Sequence, residues 1–124
     1  MRAFLRSRAN SFRDAFAGLR YILRTQKNAW IHLAITVIVI FLGIFFHLSR
    51  MEWLVLVITI GLVWAAEALN TTLEAFVDLV SPDYHPVAKI VKDVAAATVL
   101  VAAISAAVVG FLIFLPAILA FFQR

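Results

Sequence analysis

The sequence predicts an all-α integral membrane protein, with an amphipathic surface helix at the N-terminus followed by three transmembrane helices. Hydrophobic residues make up 65% of the 124 positions and charged residues only 15%, and the mean hydropathy is +1.01. This balance lies far from that of water-soluble proteins. Three apolar runs are each long enough to cross a hydrocarbon core about 30 Å thick. A chain of this length holds a single membrane-embedded domain, residues 1–124, and no separate soluble catalytic domain.

The first element is a basic amphipathic helix predicted over about residues 2–28. Phe12, Phe16, Leu19 and Leu23 recur at helical spacing and form an apolar face. Seven of the eleven basic residues surround this face: Arg2, Arg6, Arg8, Arg13, Arg20, Arg24 and Lys27. A cationic helix of this kind lies in the membrane interface and is attracted to anionic headgroups.

The three transmembrane helices are predicted at about residues 29–48, 53–80 and 87–122. The first run is predominantly apolar along its whole length, the second begins with the apolar residues 53–66 before its polar stripe, and the third is most apolar over residues 94–122. Small residues recur every four positions in the third span and predict a strip on which another helix packs closely: Ala102, Ala106 and Gly110.

A stripe of polar side chains interrupts the second span. Glu67, Asn70, Glu74 and Asp78 occupy positions i, i+3, i+7 and i+11 and therefore share one helical face. One ionisable side chain at bilayer depth costs at least ~2.5 to 3.5 kcal/mol. Three carboxylates on one face therefore require cations, protons or partners, and they mark a functional site.

The distribution of basic residues predicts the orientation. Placing the N-terminus and the 81–93 loop in the cytoplasm puts nine Lys and Arg residues inside and leaves Arg50 and Arg124 outside, as the positive-inside rule prefers. The chain is therefore expected to be a multi-pass protein of the plasma membrane, with its polar stripe opening towards the cytoplasm.

The loop between the second and third spans is very short, so these spans form an antiparallel hairpin. Pro86 suits the first turn of a helix, with His85 as its entry residue. The loop thus brings Lys89, Lys92 and Asp93 close to the carboxylates at the end of the second span. Two lysines at a helix start favour phosphate, and nearby carboxylates favour Mg²⁺, which together predict a site for magnesium-bound nucleotide.

The run from Glu67 to Asp78, followed by Asp83 to Asp93, resembles the signature of the small prokaryotic diacylglycerol kinase family, including its undecaprenol kinase branch. The resemblance extends to Ser11, Phe12, Ala15 and Gly18 in the surface helix. It implies a homotrimer with sites between subunits that transfers the γ-phosphate of MgATP to a lipid hydroxyl within the bilayer.

The same resemblance assigns roles to individual residues. Glu67 matches the general base and Glu74 a metal ligand, with Asn70 as a supporting polar contact. Where the family carries a second metal-binding glutamate, this chain has Gln26, whose amide oxygen is a weaker ligand for Mg²⁺. The nucleotide-contacting positions are Asp83, Tyr84, His85, Lys92 and Asp93. Lys89 is expected to join them because the short loop places it at the same helix start.

The sequence around His85-Pro86 and Val-Ala-Lys89 resembles the undecaprenol kinase branch more than the diacylglycerol kinase branch. This resemblance favours undecaprenol as the acceptor, with diacylglycerol as the second candidate. A small proton-coupled transporter is the alternative class, since Glu67 alone suits alternate proton and cation binding. An assembly subunit that pairs its stripe with a basic span is a third. No nucleic-acid partner is expected. We interpret His32, His47 and the tryptophans Trp30, Trp53 and Trp64 as packing or interfacial residues with no catalytic role.

Overall fold

The computed structural model describes residues 2–123, with the side chains of residues 2–7 and 9 outside the description. The described side chains therefore do not include three of the basic residues that predict the basic face and the orientation: Arg2, Arg6 and Arg124. Within this range the chain forms four helices: α1 (Arg2–Thr25), α2 (Lys27–Phe45), α3 (Arg50–Val80) and α4 (Pro86–Phe122). The last three are long and apolar enough to cross a membrane. The predicted all-α class and the three spans are thus confirmed.

The junction between α1 and α2 is a single residue. Gln26 has extended backbone angles, φ −104° and ψ 114°, and it separates two helices that the hydropathy pattern alone would divide two residues later. Phe12 and Phe16 on α1 are 67% and 68% exposed. An apolar face left uncovered beside basic residues is what a helix lying in the membrane interface requires.

The turn between α2 and α3 is closed by hydrogen bonds at both helix ends. His47 has φ 54°, the left-handed conformation common after a helix C-terminus, and Leu48 N–H donates to the Gly43 carbonyl at 3.1 Å. Ser49 then begins α3 with a capping box, in which its side chain and backbone exchange hydrogen bonds with Glu52. The turn is therefore specified locally by its own polar groups.

The hairpin of α3 and α4 is the most extensive helix contact of the described chain, whereas α2 touches α3 over a much smaller area. His85 caps α4 through its Nδ1, which accepts the Val87 N–H at 3.2 Å, and Pro86 follows in the first turn. The expected entry of this helix is confirmed. At the same end, Lys92 of α4 donates to Asp78 of α3 at 2.5 Å.

Part of the small-residue strip of α4 lines a cavity in the single chain. Ala106 and Gly110 line an apolar cavity of about 360 Å³ between α2, α3 and α4. A Cβ on Gly110 would meet nothing within 4 Å. Two members of the strip therefore border a space in the single chain, and the role of the strip in helix packing stays a prediction.

Candidate active site

Glu67 is the most deeply buried ionisable residue of the described chain. Its residue exposure is 1%, and neither carboxylate oxygen has a hydrogen-bond partner among the described residues. The nearest ionisable partner is His32 of α2, whose Nε2 lies 3.9 Å from Oε2. A buried carboxylate without donors is costly unless a ligand or a proton completes its surroundings. Glu67 therefore has the environment of a reactive group rather than of a structural one.

Glu74 lies two helical turns further along the same face of α3 and is held by two amides. Gln26 Nε2 donates to one carboxylate oxygen at 2.7 Å, and Asn70 Nδ2 donates to the other at 3.1 Å. Asn70 itself is buried, and its Oδ1 has no partner in the part of the chain that the structure describes. The amide donors thus orient Glu74 while an orphaned carbonyl oxygen lies beside it.

These side chains open into one cavity of about 280 Å³, which we call the polar cavity. The α1–α2 junction, α2 and α3 supply its polar wall, and α4 supplies its apolar wall. The polar lining residues are Gln26, Asn28, His32, Glu67, Asn70 and Glu74. Three of the predicted site residues on α3 and the predicted metal position at the helix junction therefore share one space.

The predicted nucleotide residues border a second space of about 360 Å³, which we call the loop cavity. It is formed by the end of α3, the connecting loop and the start of α4. Its charged and polar lining residues are Asp78, Ser81, Asp83, Tyr84, His85, Lys89 and Lys92. The loop thus gathers all the expected nucleotide positions except Asn70, which lines the polar cavity, and Asp93.

Both lysines of the loop cavity are already paired with carboxylates. Lys92 binds Asp78, and Lys89 binds Asp93 at 2.5 Å within the first turns of α4. The lysines were expected close to both Asp78 and Glu74, and the structure brings Lys92 only to Asp78. The two cavities share no lining residue, but Glu74 and Asp78 are one helical turn apart. The cavities therefore follow each other along one face of α3.

Comparison with known proteins identifies the family. The family model for prokaryotic diacylglycerol kinase matches residues 13–114, which include both cavities. The chain belongs to the prokaryotic diacylglycerol kinase family. It is 40% identical over 106 residues to an undecaprenol kinase of Bacillus subtilis, covering 86% of each chain. It is also 47% identical over 110 residues to a diacylglycerol kinase of Synechocystis sp., covering 88% of this chain and 63% of that relative.

A third relative, a diacylglycerol kinase of Helicobacter pylori, is 30% identical over 101 residues and covers 76% of this chain and 79% of its own length. As a member of the prokaryotic diacylglycerol kinase family, the protein is an ATP-dependent lipid kinase with transmembrane helices. Kinase chemistry accounts for the deep carboxylate and the basic loop together. Transport or assembly accounts for the carboxylates alone.

The residues of this kinase fit magnesium through oxygen donors. No three histidine, aspartate or glutamate side chains of the described residues converge on one point. Mg²⁺ commonly takes only one or two carboxylates and completes its shell with water and substrate phosphates. Glu74 and the orphaned Asn70 Oδ1 provide such donors, and Gln26 offers an amide oxygen once its side chain rotates.

The contact between His32 and Glu67 was not predicted from the sequence. We interpreted His32 as an interfacial residue because it lies near the start of a span, yet only 13% of its side chain is exposed and it faces Glu67. The missed signal is the antiparallel order of the first two spans, which places the beginning of α2 beside the later turns of α3. An imidazole near the start of one span can therefore reach a carboxylate in the middle of the next.

Proposed function

We propose that this lipid kinase transfers the γ-phosphate of MgATP to the hydroxyl of undecaprenol, with Glu67 as the general base. The observation that carries the proposal is the position of Glu67. It is buried within a transmembrane helix, lacks hydrogen-bond donors among the described residues and opens to the same cavity as Glu74. A lipid alcohol that enters from the bilayer would meet this carboxylate before it met water.

In the proposed reaction, the lipid hydroxyl oxygen attacks the γ-phosphorus, its proton passes to a Glu67 carboxylate oxygen, and the bond from phosphorus to the ADP oxygen breaks. Catalysis of this kind depends on positioning and on stabilising the charge of the transferring group. Glu67 supplies the proton acceptor at the depth of the hydroxyl. The loop cavity supplies cationic groups nearer to the membrane surface.

We assign the nucleotide to the loop cavity. Asp83, Tyr84 and His85 would contact it, and Lys89 and Lys92 would exchange their carboxylate partners, Asp93 and Asp78, for phosphate oxygens. Glu74, Asn70 and Gln26 would hold Mg²⁺, which supplies charge neutralisation for the phosphate oxygens when bound. Glu74 of the polar cavity and Asp78 of the loop cavity are one helical turn apart on α3, so phosphates in the loop cavity would lie close to a metal held at Glu74.

We further propose that the kinase works as a homotrimer with its N-terminus and site at the cytoplasmic side of the plasma membrane. The basic residues of α1 and of the loop support this orientation. Many large apolar residues of α2, α3 and α4 are exposed in the single chain. Lipid and neighbouring subunits would cover them.

The acceptor has two candidates. The Bacillus subtilis relative named an undecaprenol kinase matches across 86% of its own length and of this chain, which supports undecaprenol. Diacylglycerol is favoured by the higher identity, 47%, to the relative named a diacylglycerol kinase. A direct comparison of undecaprenol and diacylglycerol with the purified protein and labelled ATP decides between them. A higher kcat/KM for diacylglycerol than for undecaprenol would identify diacylglycerol as the preferred acceptor and contradict the proposal.

Replacement of the base tests the mechanism. We expect Glu67→Gln to lower kcat with either acceptor by about 10²- to 10⁴-fold, the usual contribution of a general base, while ATP binding stays close to that of the parent protein. Glu52→Gln is the matched control, because it makes the same change at the other end of α3 and glutamine can maintain the capping box. Parent-like turnover of Glu67→Gln would exclude Glu67 as the base.

A further inference from the structure

We propose that His32 is a positioning residue for Glu67, held in place by a polar tie between Thr36 and Trp64. The inference rests on the proposed role of Glu67 as the base and adds a residue to which the sequence pattern assigned no function. The side chain of His32 is 13% exposed and that of Glu67 1%, so the two groups face each other largely out of contact with solvent.

The other polar groups of the cavity serve a different carboxylate. Gln26 and Asn70 both direct their amide N–H groups to Glu74. Glu67 receives no hydrogen bond from the described residues, and its closest ionisable neighbour is the His32 imidazole, at 3.9 Å from Nε2 to Oε2. This distance suits an ion pair and is too long for a direct hydrogen bond. Catalytic contacts in substrate-free enzymes are often long and shorten when substrate binds.

The backbone of His32 is anchored one helical turn further along α2. Thr36 Oγ1 donates to the His32 carbonyl at 2.7 Å and accepts the Trp64 indole N–H at 3.2 Å. Trp64 precedes Glu67 by three residues on α3. The pairs His32–Glu67 and Thr36–Trp64 therefore form successive contacts between two antiparallel helices, four residues apart on α2 and three apart on α3.

This tie matters because α2 and α3 otherwise have little contact. A sparse interface leaves the rotation of α2 weakly specified, and a rotation would carry the imidazole away from Glu67. The indole N–H and the threonine hydroxyl fix that rotation at a position adjacent to the base. We therefore expect His32 to act on the chemical step through Glu67, while the loop cavity and its nucleotide contacts stay unaffected.

The experiment compares His32→Leu with His32→Gln in the purified full-length kinase. Leucine removes the donor, and glutamine keeps an N–H group of comparable reach. A hydrogen bond to a charged group is worth roughly a factor of 10 to 100 in an equilibrium, so we expect His32→Leu to lower kcat by about 10- to 100-fold with KM for MgATP unchanged. His32→Gln should recover a substantial part of the loss, which a purely structural role of the ring would not allow.

The anchor is tested separately by Thr36→Val and Trp64→Phe, each expected to lower kcat several-fold without a change in KM for MgATP. Thr59→Val is the matched control. Thr59 also bonds a carbonyl of its own helix, that of Val55 at 2.7 Å, and it borders the same apolar cavity as Thr36, whereas the Trp64 indole N–H is donated to Thr36. We expect this control to retain parent-like kcat. If it falls as far as Thr36→Val, the proposed tie is overturned.

A double substitution distinguishes this proposal from the proposed function. If His32 acts through Glu67, adding His32→Leu to Glu67→Gln should cause no further loss, because coupled residues are not additive. Full additivity overturns the positioning role. Parent-like turnover of His32→Leu beside an inactive Glu67→Gln also overturns it and leaves the base intact. An active Glu67→Gln overturns the base itself. If His32→Leu does not fold, Thr36→Val and Trp64→Phe provide the same comparison.

Discussion

Gln26 departs from the family pattern and also contacts Glu74 directly. The family resemblance leads us to expect a metal-binding glutamate where this chain has the Gln26 amide, and that amide donates to Glu74 at 2.7 Å. In the absence of a cation, the neutral side chain satisfies a carboxylate that a second carboxylate would repel. On that expectation, an amide at position 26 would replace a strong cation ligand with a partner for Glu74 that needs no metal.

Restoring the acid should make the site dependent on a divalent cation. We expect Gln26→Glu to lower the thermal midpoint without Mg²⁺, because two carboxylates then lie at hydrogen-bond distance, and to show a larger rise in midpoint than the parent when Mg²⁺ is added. Thermal unfolding in detergent measures both. Gln123→Glu makes the same change at the far end of α4 and should show neither effect. An unchanged response to Mg²⁺ would mean that position 26 is not at the metal.

At the scale of the elements, the α2–α3 turn depends on one close contact. Gly43 is buried, and an added Cβ would lie 2.9 Å from the indole ring of Trp53. Such an approach is well below normal carbon separations, so the ring or the helix end has to move. The glycine thus allows Trp53 to pack across the end of α2 in the same turn that Ser49 and Glu52 cap.

We expect Gly43→Ala to destabilise the protein by about 1 to 3 kcal/mol through this overpacking, although alanine is the better helix former. Gly61→Ala is the matched control in the middle of α3, where an added Cβ meets nothing within 4 Å of the described chain. It should be neutral or stabilising. Thermal unfolding of the two variants checks the difference, and equal midpoints would show that Trp53 adjusts at little cost.

The elements were largely predictable from sequence, and the contacts between them were not. Hydropathy sets the length of each span, so the predicted limits lie within a few residues of those of α2, α3 and α4. The break at Gln26 has no proline or glycine to signal it. The contacts Gln26–Glu74 and His32–Glu67 depend on how α2 rotates against α3, which periodicity within one helix cannot specify. The polar stripe on α3 could be predicted from the sequence because all its members belong to one helix.

At the scale of the whole molecule, the loop end is joined by exposed ion pairs. The side chains of Lys92 and Asp78 are 38% and 65% exposed, and pairs this accessible contribute at most ~1 kcal/mol to stability. The pair therefore contributes little to the hairpin, which the apolar contact of α3 and α4 already holds. A lysine that contributes little to folding is free to serve the proposed nucleotide site.

Removing Lys92 should separate its contribution to folding from its proposed role in nucleotide binding. We expect Lys92→Met to leave the thermal midpoint almost unchanged and to raise KM for MgATP about tenfold, equivalent to ~1.4 kcal/mol of lost binding. Lys27→Met removes a charge near the same end of the molecule from a residue that lines neither cavity, and it should leave KM unchanged. Steady-state kinetics and thermal unfolding give the answer. A large loss of stability with a constant KM would assign Lys92 to the fold.

The single-residue joint at Gln26 also links two environments. Its backbone separates the amphipathic helix, which we expect to rest on the lipid headgroups, from the first helix that is long and apolar enough to span the membrane, and its side chain contacts Glu74. Because only Gln26 separates the two helices, we expect a change in the tilt of α1 to reach Glu74 through this residue. Headgroup charge and membrane curvature, which would act on an interfacial α1, are therefore expected to influence the turnover of a site that neither touches directly.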